Sequence, residues 1–365
     1  MLSPKTTREP TQMNLSLRKA LSRLALMVLV LSLAGCISAP PTQPPGAEFL
    51  QRKDADGFQF RVMSWNIRVS LMFDEPERRL DDLARITRAV KPDIIVLQEA
   101  MVPGMDVTMP EYMNREEPPG PGLKWHFHYA SDNVVLSRFP FRATWVEKIA
   151  PFYFERSPDF HFGQAVFVAD LPDDQSEHDV FVIAMHNKSG VRPEYVQLQQ
   201  MQSDSIVATV RKRLQQDSPL ALPPGTPIII AGDMNVIASA PALHFKTLVN
   251  GDIADEETWG PDVPMDWDGT DLADAKPSHN ARGVHHYTWR DDSMPYPPGR
   301  FDRVLYTDSV ASVVHSFVLN TTMMNDTALE RLGLRWHDSL WNHEPGQFDH
   351  LPVVVDFRLD KPTAD

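Results

Sequence analysis

Five short apolar runs in this chain end abruptly in polar residues. They are "RVMSWN", closing at Asn66; "DIIVLQE", closing at Glu99; "VFVIAMHN", closing at His186 and Asn187; "PIIIAGDMN", closing at Asp233 and Asn235; and "FDHLPVVVDF", where Asp349 and His350 precede the apolar residues. Runs of this length, rich in Val and Ile, read as strands buried on both faces. A carboxylate or amide beside such a strand costs free energy unless it finds a counter-charge, a cation or water. Each of these polar strand ends therefore needs a counter-charge, a metal or solvent.

Amphipathic helical segments separate some of these runs. Leu80, Leu83, Ala84, Thr87 and Val90 lie at helical spacing, with Ile86 widening the face, and Tyr195, Leu198, Met201, Ile206 and Val210 form a second stripe. Between them come "NVVLSRF" and "QAVFVADL", and later "FDRVLY" and "HSFVL". Strands outnumber helices, and hairpin-like pairs are mixed with strand–helix units. The pattern predicts two packed mixed sheets with helices outside. No repeat of solenoid period is present. Two long irregular segments, about 251–300 and 321–347, carry many aromatics, including Trp259, Trp267, Trp289, Trp336 and Trp341. Long loops of this kind are commonly functional.

The N-terminus has a different character. Lys5, Arg8, Arg18, Lys19 and Arg23 precede an apolar run from Leu24 to Leu33, too short to span a bilayer. It ends in "LSLAGC", which resembles a bacterial lipobox with Cys36, the only cysteine, as the lipidated residue. The expected organisation is a signal peptide over 1–35, a lipidated Cys and Pro-rich tether over 36–56, and a folded domain over 57–361. Ile37, not an acidic residue, follows the cysteine. By analogy with sorting rules this favours the outer membrane of the cell envelope. Net charge is −14, and removing the basic leader makes the remainder more acidic. Such a surface disfavours non-specific nucleic-acid binding.

In order along the chain, "MSWNIR", "PDIIVLQE", "NVVLSRFP", "MHNKSG", "AGDMN", "YTWR" with "GRFDRVLY", and "FDHLPVVV" resemble the endonuclease/exonuclease/phosphatase superfamily, from Met63 to Val355. The resemblance implies a deoxyribonuclease-like, four-layer α/β/β/α sandwich of two stacked mixed β-sheets. It also implies a divalent-metal-dependent phosphoester hydrolase. On it, Glu99 is the principal metal ligand, supported by Asn66, with Asp349 a second metal-side carboxylate. Asp233 activates the attacking water, Asn235 holds a phosphate oxygen, His350 faces the scissile phosphate, Asp302 fixes that ring, and His186 is a second imidazole. Arg68, Asn187 and Lys188, together with Asn66, are expected at the substrate. Arg68 stands where abasic-site enzymes carry an acid, which argues against that branch. Oxygen ligands without cysteine suit Mg²⁺, or Mn²⁺ or Ca²⁺, better than zinc. The substrate stays open among nucleic acid, nucleotide, phospholipid and inositol phosphate. The alternatives are a sphingomyelinase- or inositol-phosphatase-like phospholipid hydrolase and, from another class, a non-catalytic envelope binding protein.

Overall fold

A computed structural model describes residues 46–148, 163–237, 242–342 and 344–359. The expected signal peptide, Cys36 and residues 37–45 of the Pro-rich tether lie outside these residues. In chain order the strands are β1 (Gln59–Asn66), β2 (Ile94–Gln98), β3 (His126–Ala130), β4 (Asn133–Ser137), β5 (Phe141–Lys148), β6 (Gly163–Ala169), β7 (Val180–His186), β8 (Ile228–Asp233), β9 (Ala273–Asp274), β10 (Trp289–Asp291), β11 (Asp302–Tyr306), β12 (Ala311–Val318), β13 (Gln347–His350) and β14 (Val353–Leu359). The helices are α1 (Val69–Asp74), α2 (Pro76–Val90), α3 (Met105–Glu116), α4 (Pro193–Leu214), α5 (Leu243–Asn250), α6 (Glu256–Trp259) and α7 (Asp326–Leu332).

Two six-stranded sheets form, in the orders β12-β14-β1-β2-β4-β3 and β5-β6-β7-β8-β11-β9. Each has one parallel pair near its middle, β1 with β2 and β7 with β8, and antiparallel neighbours elsewhere. A helix crosses over between the members of each parallel pair, as parallel pairing requires. The pairs β1/β2 and β7/β8 end together, so four polar strand ends reach one edge of the molecule. Helices cover the outer faces, giving the four-layer α/β/β/α sandwich.

Side-chain alternation explains why the central strands are apolar throughout. Val62, Ile94 and Val96 join Phe167, Val182, Ala231 and Val355 between the sheets. Their neighbours Met63, Trp65, Ile95 and Leu97 face α2 and α3 instead, with Leu80, Leu83 and Ile86. On the second sheet Phe181, Ile183 and Met185 pack on Ile206 and Val210 of α4. Both faces are buried, so an alternating polar pattern would have been incompatible with the fold.

Packing begins earlier than Gly57. Ala47, Phe49 and Leu50 are buried in the first core, Phe49 edge-on to Phe317 at 5.1 Å, and the Arg61 guanidinium donates to Leu50 O at 2.9 Å. The tether expected over 36–56 is shortened accordingly, because two bulky apolar residues next to the Pro-rich stretch gain more by burial than by exposure. The irregular segments contain short elements after all, α6, β9 and β10 in one and α7 in the other. Trp259 and Trp267 pack on the third core and belong to its structure.

Candidate active site

The first sheet delivers an amide and a carboxylate. Asn66 is the last residue of β1, and Glu99 immediately follows β2 with φ at 55°. The Asn66 amide donates to Glu99 Oε1 at 3.1 Å and to Asp233 Oδ2 at 3.2 Å, bridging the two sheets. Val69 N donates to the other Glu99 oxygen at 2.9 Å. Glu99 is partly exposed, and no Lys, Arg or His among the described residues is ion-paired to it.

The second sheet delivers His186, Asp233 and Asp302. His186 and Asp302 are the direct strand partners of Asp233, on β7 and β11 respectively. Close approach of β7 and β8 makes this possible. A Cβ on Gly232 would lie 1.8 Å from Met185 O, and its φ of 149° belongs to glycine. Asn235, at φ 49°, donates its backbone N–H to Asp233 Oδ1 at 2.9 Å and its amide to Asn187 O at 2.8 Å. Arg68, Glu99, Asn235 and Asp349 all hold positive φ, the uncommon backbone that side chains at functional corners often adopt.

His350 arrives on the ribbon β10/β13. Its Nδ1 meets Asp302 Oδ2 at 2.8 Å, and its Nε2 lies 3.6 Å from Asp233 Oδ2. His186 mirrors this, with Nδ1 2.6 Å from Asp132 Oδ2 and Nε2 3.6 Å from the same Asp233 oxygen. Two imidazoles, each backed by an acid, thus face one carboxylate. Burial alone would lower both histidines. For His350 the Asp302 charge, then Asp233, outweighs it and holds the ring at about 10. For His186 Asp132 does so, holding it at about 9. Both rings are therefore imidazolium at neutral pH, with Nε2–H available. Burial, with the nearby Asp302 charge, pushes the Asp233 carboxyl above its ordinary range, and the histidines oppose it. A raised carboxyl is a better base.

Several expected positions come out differently. Asp349 and His350 do part, but Asp349 pairs with Arg68 at 3.0 Å and accepts from Trp289 Nε1 at 3.1 Å. Its carboxylate thus faces an arginine and an indole N–H. Asn187 is buried, with its amide nitrogen 3.3 Å from Met234 O and its backbone N–H on Asp233 O at 2.9 Å, so it clasps β7 to β8. The Lys188 ammonium rests over Tyr195 at 4.4 Å and donates to Ser189 O at 3.1 Å. Arg68 stays at the mouth, its guanidinium 4.0 Å from the Trp341 ring centre.

Sequence reasoning missed Asp132, which sits in the β3–β4 turn and reads there as a turn residue. It also missed Thr288, whose Oγ1 accepts from Phe301 N and Asp302 N at 3.0 Å each, while its O accepts from Leu351 N at 2.7 Å. Thr288 thus pins both Asp302 and the segment just after His350. Trp65 Nε1 donates to His350 O at 3.0 Å.

Ligand atoms of Asp233, Asp302 and His350 lie within 4.8 Å of one another, the acidic/His cluster of the described residues. The Nδ1 of His350 is committed to Asp302 there. Glu99, partly open and bonded only to neutral donors, has the oxygen lone pairs a hard cation prefers.

Acid-backed imidazoles around a buried carboxylate, at the mouth of two stacked sheets, define a phosphoester hydrolase. The chain belongs to the Endonuclease/Exonuclease/phosphatase family, whose model matches residues 63–322. That match ends before Asp349 and His350. Truncated Caenorhabditis elegans TDP2 is similar in structure at 17% identity and TM-score 0.52, covering 84% of this chain and 100% of that one. ANGEL2, a 2′,3′-cyclic phosphatase solved with adenosine-2′,3′-vanadate, is similar at 14% identity and TM-score 0.54, covering 85% and 98%. At these identities the likeness concerns the fold. A search of curated sequences gives no match.

Proposed function

We propose that the protein hydrolyses phosphoesters with a divalent cation held at Glu99 and supported by the Asn66 carboxamide. The observation that carries this reading is the convergence of His186 Nε2 and His350 Nε2 on Asp233 Oδ2 at 3.6 Å each. Asp233 takes the proton of the attacking water, a role that contributes roughly 10²–10⁴-fold. Asn235 N–H fixes the other Asp233 oxygen and so aims the basic one. The two Nε2–H groups, the remaining Asn235 amide hydrogen and Arg68 receive the phosphate oxygens, whose charge grows as the water adds. A divalent cation held there would supply charge neutralisation to the phosphoester. Mg²⁺ suits a site offering one protein carboxylate, because it keeps several waters. An intact base, two donors and an open carboxylate favour this reading over a non-catalytic binding protein. Anchoring to the cell envelope through Cys36 is part of the proposal and rests on the lipobox resemblance.

The test is hydrolysis of bis-p-nitrophenyl phosphate with Mg²⁺, with EDTA, and with Asp233→Ala. Turnover should require the cation, and the variant should lose at least about 10²-fold while melting at an unchanged temperature. Equal rates with EDTA, or a fully active variant, would remove the mechanism.

A further inference from the structure

Helix α4 buries two amide side chains beside its apolar stripe. Gln199 and Gln202 stand one turn apart and are 3% and 0% exposed. A buried amide is costly unless its polar atoms are bonded, so a glutamine in such a place is explained by its partners. Here the partners are backbone atoms of one short segment, 186–190. Gln202 Nε2 donates to His186 O at 3.0 Å, and its Oε1 accepts from Lys188 N at 2.7 Å. Gln199 Nε2 donates to Lys188 O at 2.6 Å and to Gly190 O at 3.0 Å. From the other side Gln164, on β6, accepts from His186 N at 3.2 Å. Between the clasped groups, Asn187 N donates to Asp233 O at 2.9 Å, and Asn187 O accepts from the Asn235 amide at 2.8 Å.

The two imidazoles of the site are held alike. His350 has Asp302 at Nδ1 and the Trp65 indole N–H on its own carbonyl oxygen at 3.0 Å. His186 has Asp132 at Nδ1 and the Gln202 amide on its own carbonyl oxygen, also at 3.0 Å. We propose that Gln202 is a positioning residue of the hydrolytic site: one amide clasps His186 O and Lys188 N and so fixes where the His186 imidazole stands relative to Asp233. The proposal rests on the phosphoester-hydrolase reading above, in which His186 Nε2–H meets a phosphate oxygen. Gln202 is fully buried and acts through the backbone of the segment it holds. Without it, His186 O and Lys188 N lose their bonded partner and the segment must move to satisfy them. Such a move carries the ring away from Asp233, and it also disturbs Asn187 O, the acceptor that steadies the Asn235 amide. A displacement of ~1 Å at a reacting centre costs up to about 10²-fold in turnover.

A double-mutant cycle tests this with Gln202→Met, which keeps the length and removes both bonds, with His186→Ala, and with the two combined. Each is assayed on bis-p-nitrophenyl phosphate with Mg²⁺. Gln202→Met alone should lower kcat by about 10–10²-fold, yet cost less than about threefold where His186 is already alanine. A mere loss of folded protein would lower the rate equally in both backgrounds. A second readout is independent of turnover. In ¹⁵N–¹H spectra of the histidine rings, Gln202→Met should move the His186 signals and leave those of His350 in place. Gln202→Asn keeps an amide but is one methylene too short to span both groups, and it serves in the same cycle if the methionine variant fails to fold. An equal loss in both backgrounds, an unaltered kcat in a folded variant, or His350 signals moving as far as those of His186 would each overturn the proposal. A parent without hydrolysis, or a fully active His186→Ala, would instead overturn the functional reading, and the ring spectra would still decide whether Gln202 places the imidazole.

Discussion

Replacing Asp302 by Asn isolates what the acid behind His350 does. Asn keeps the size of the side chain, and its carbonyl oxygen can still accept from Nδ1 at the 2.8 Å seen for Asp302. What disappears is the negative charge that holds His350 up at about 10. A histidine at its ordinary value of about 6.5 is roughly 3% protonated at pH 8, whereas one near 10 is about 99% protonated. The variant ring, with its proton kept on Nδ1, turns a bare nitrogen toward the phosphate. Losing one such donor costs about 10²–10³-fold in turnover. The assay is a pH–rate profile on bis-p-nitrophenyl phosphate between pH 5 and 11, with thermal melts at each point. The alkaline limb should fall by more than about one pH unit, and activity should partly return as the solution is acidified. The sign for stability runs the same way: a raised folded-state value stabilises fully below about 6.5 and is lost as pH passes about 10. That alkaline loss should shrink in the variant. A rate within threefold of the parent, or a slower enzyme with an unmoved alkaline limb, would refute the reasoning and leave Asp302 a packing residue.

Thr288→Val leaves the buried N–H groups of Phe301 and Asp302 without their acceptor, a loss of about 2–5 kcal/mol, and should lower kcat more than KM is altered, with Thr288→Ser restoring both. Gly232→Ala should destabilise by more than about 3 kcal/mol in denaturant melts, since its Cβ meets Met185 O at a distance no rotamer relieves. His279 is buried with Nε2 2.7 Å from Tyr287 O, and burial pushes it down to about 4. Its contribution is therefore present above about pH 6.5 and lost as pH falls toward 4, by up to roughly 3 kcal/mol, and His279→Gln should flatten that part of the stability profile.

The fold was legible because both faces of its central strands are buried, so apolar runs and their polar ends stood out without tertiary information. Asn66, Glu99, His186, Asp233, Asp302 and His350 come together for the same reason: each sits at a strand end, and the strands end at one edge. What sequence could not show was pairing across the molecule. Asp132 is one residue of a tight turn until His186 arrives 2.6 Å away. Asp349 resembles a spare carboxylate until Arg68, more than 280 positions earlier, is folded against it. Trp341 has no signature distinguishing it from Trp267, yet one stacks on Arg68 and the other donates to Thr226 O just before β8. Phe49 and Leu50 were hidden by the prolines before them.

The placement of β14 has a consequence for how the protein comes into being. It is the last strand among the described residues, yet it lies inside the first sheet, between β12 and β1. Until it is made, β1 has one free edge and His350 has no fixed position. A chain in which β14 has not yet paired therefore has no assembled site. For the same reason, removing β14 opens the first sheet between β12 and β1.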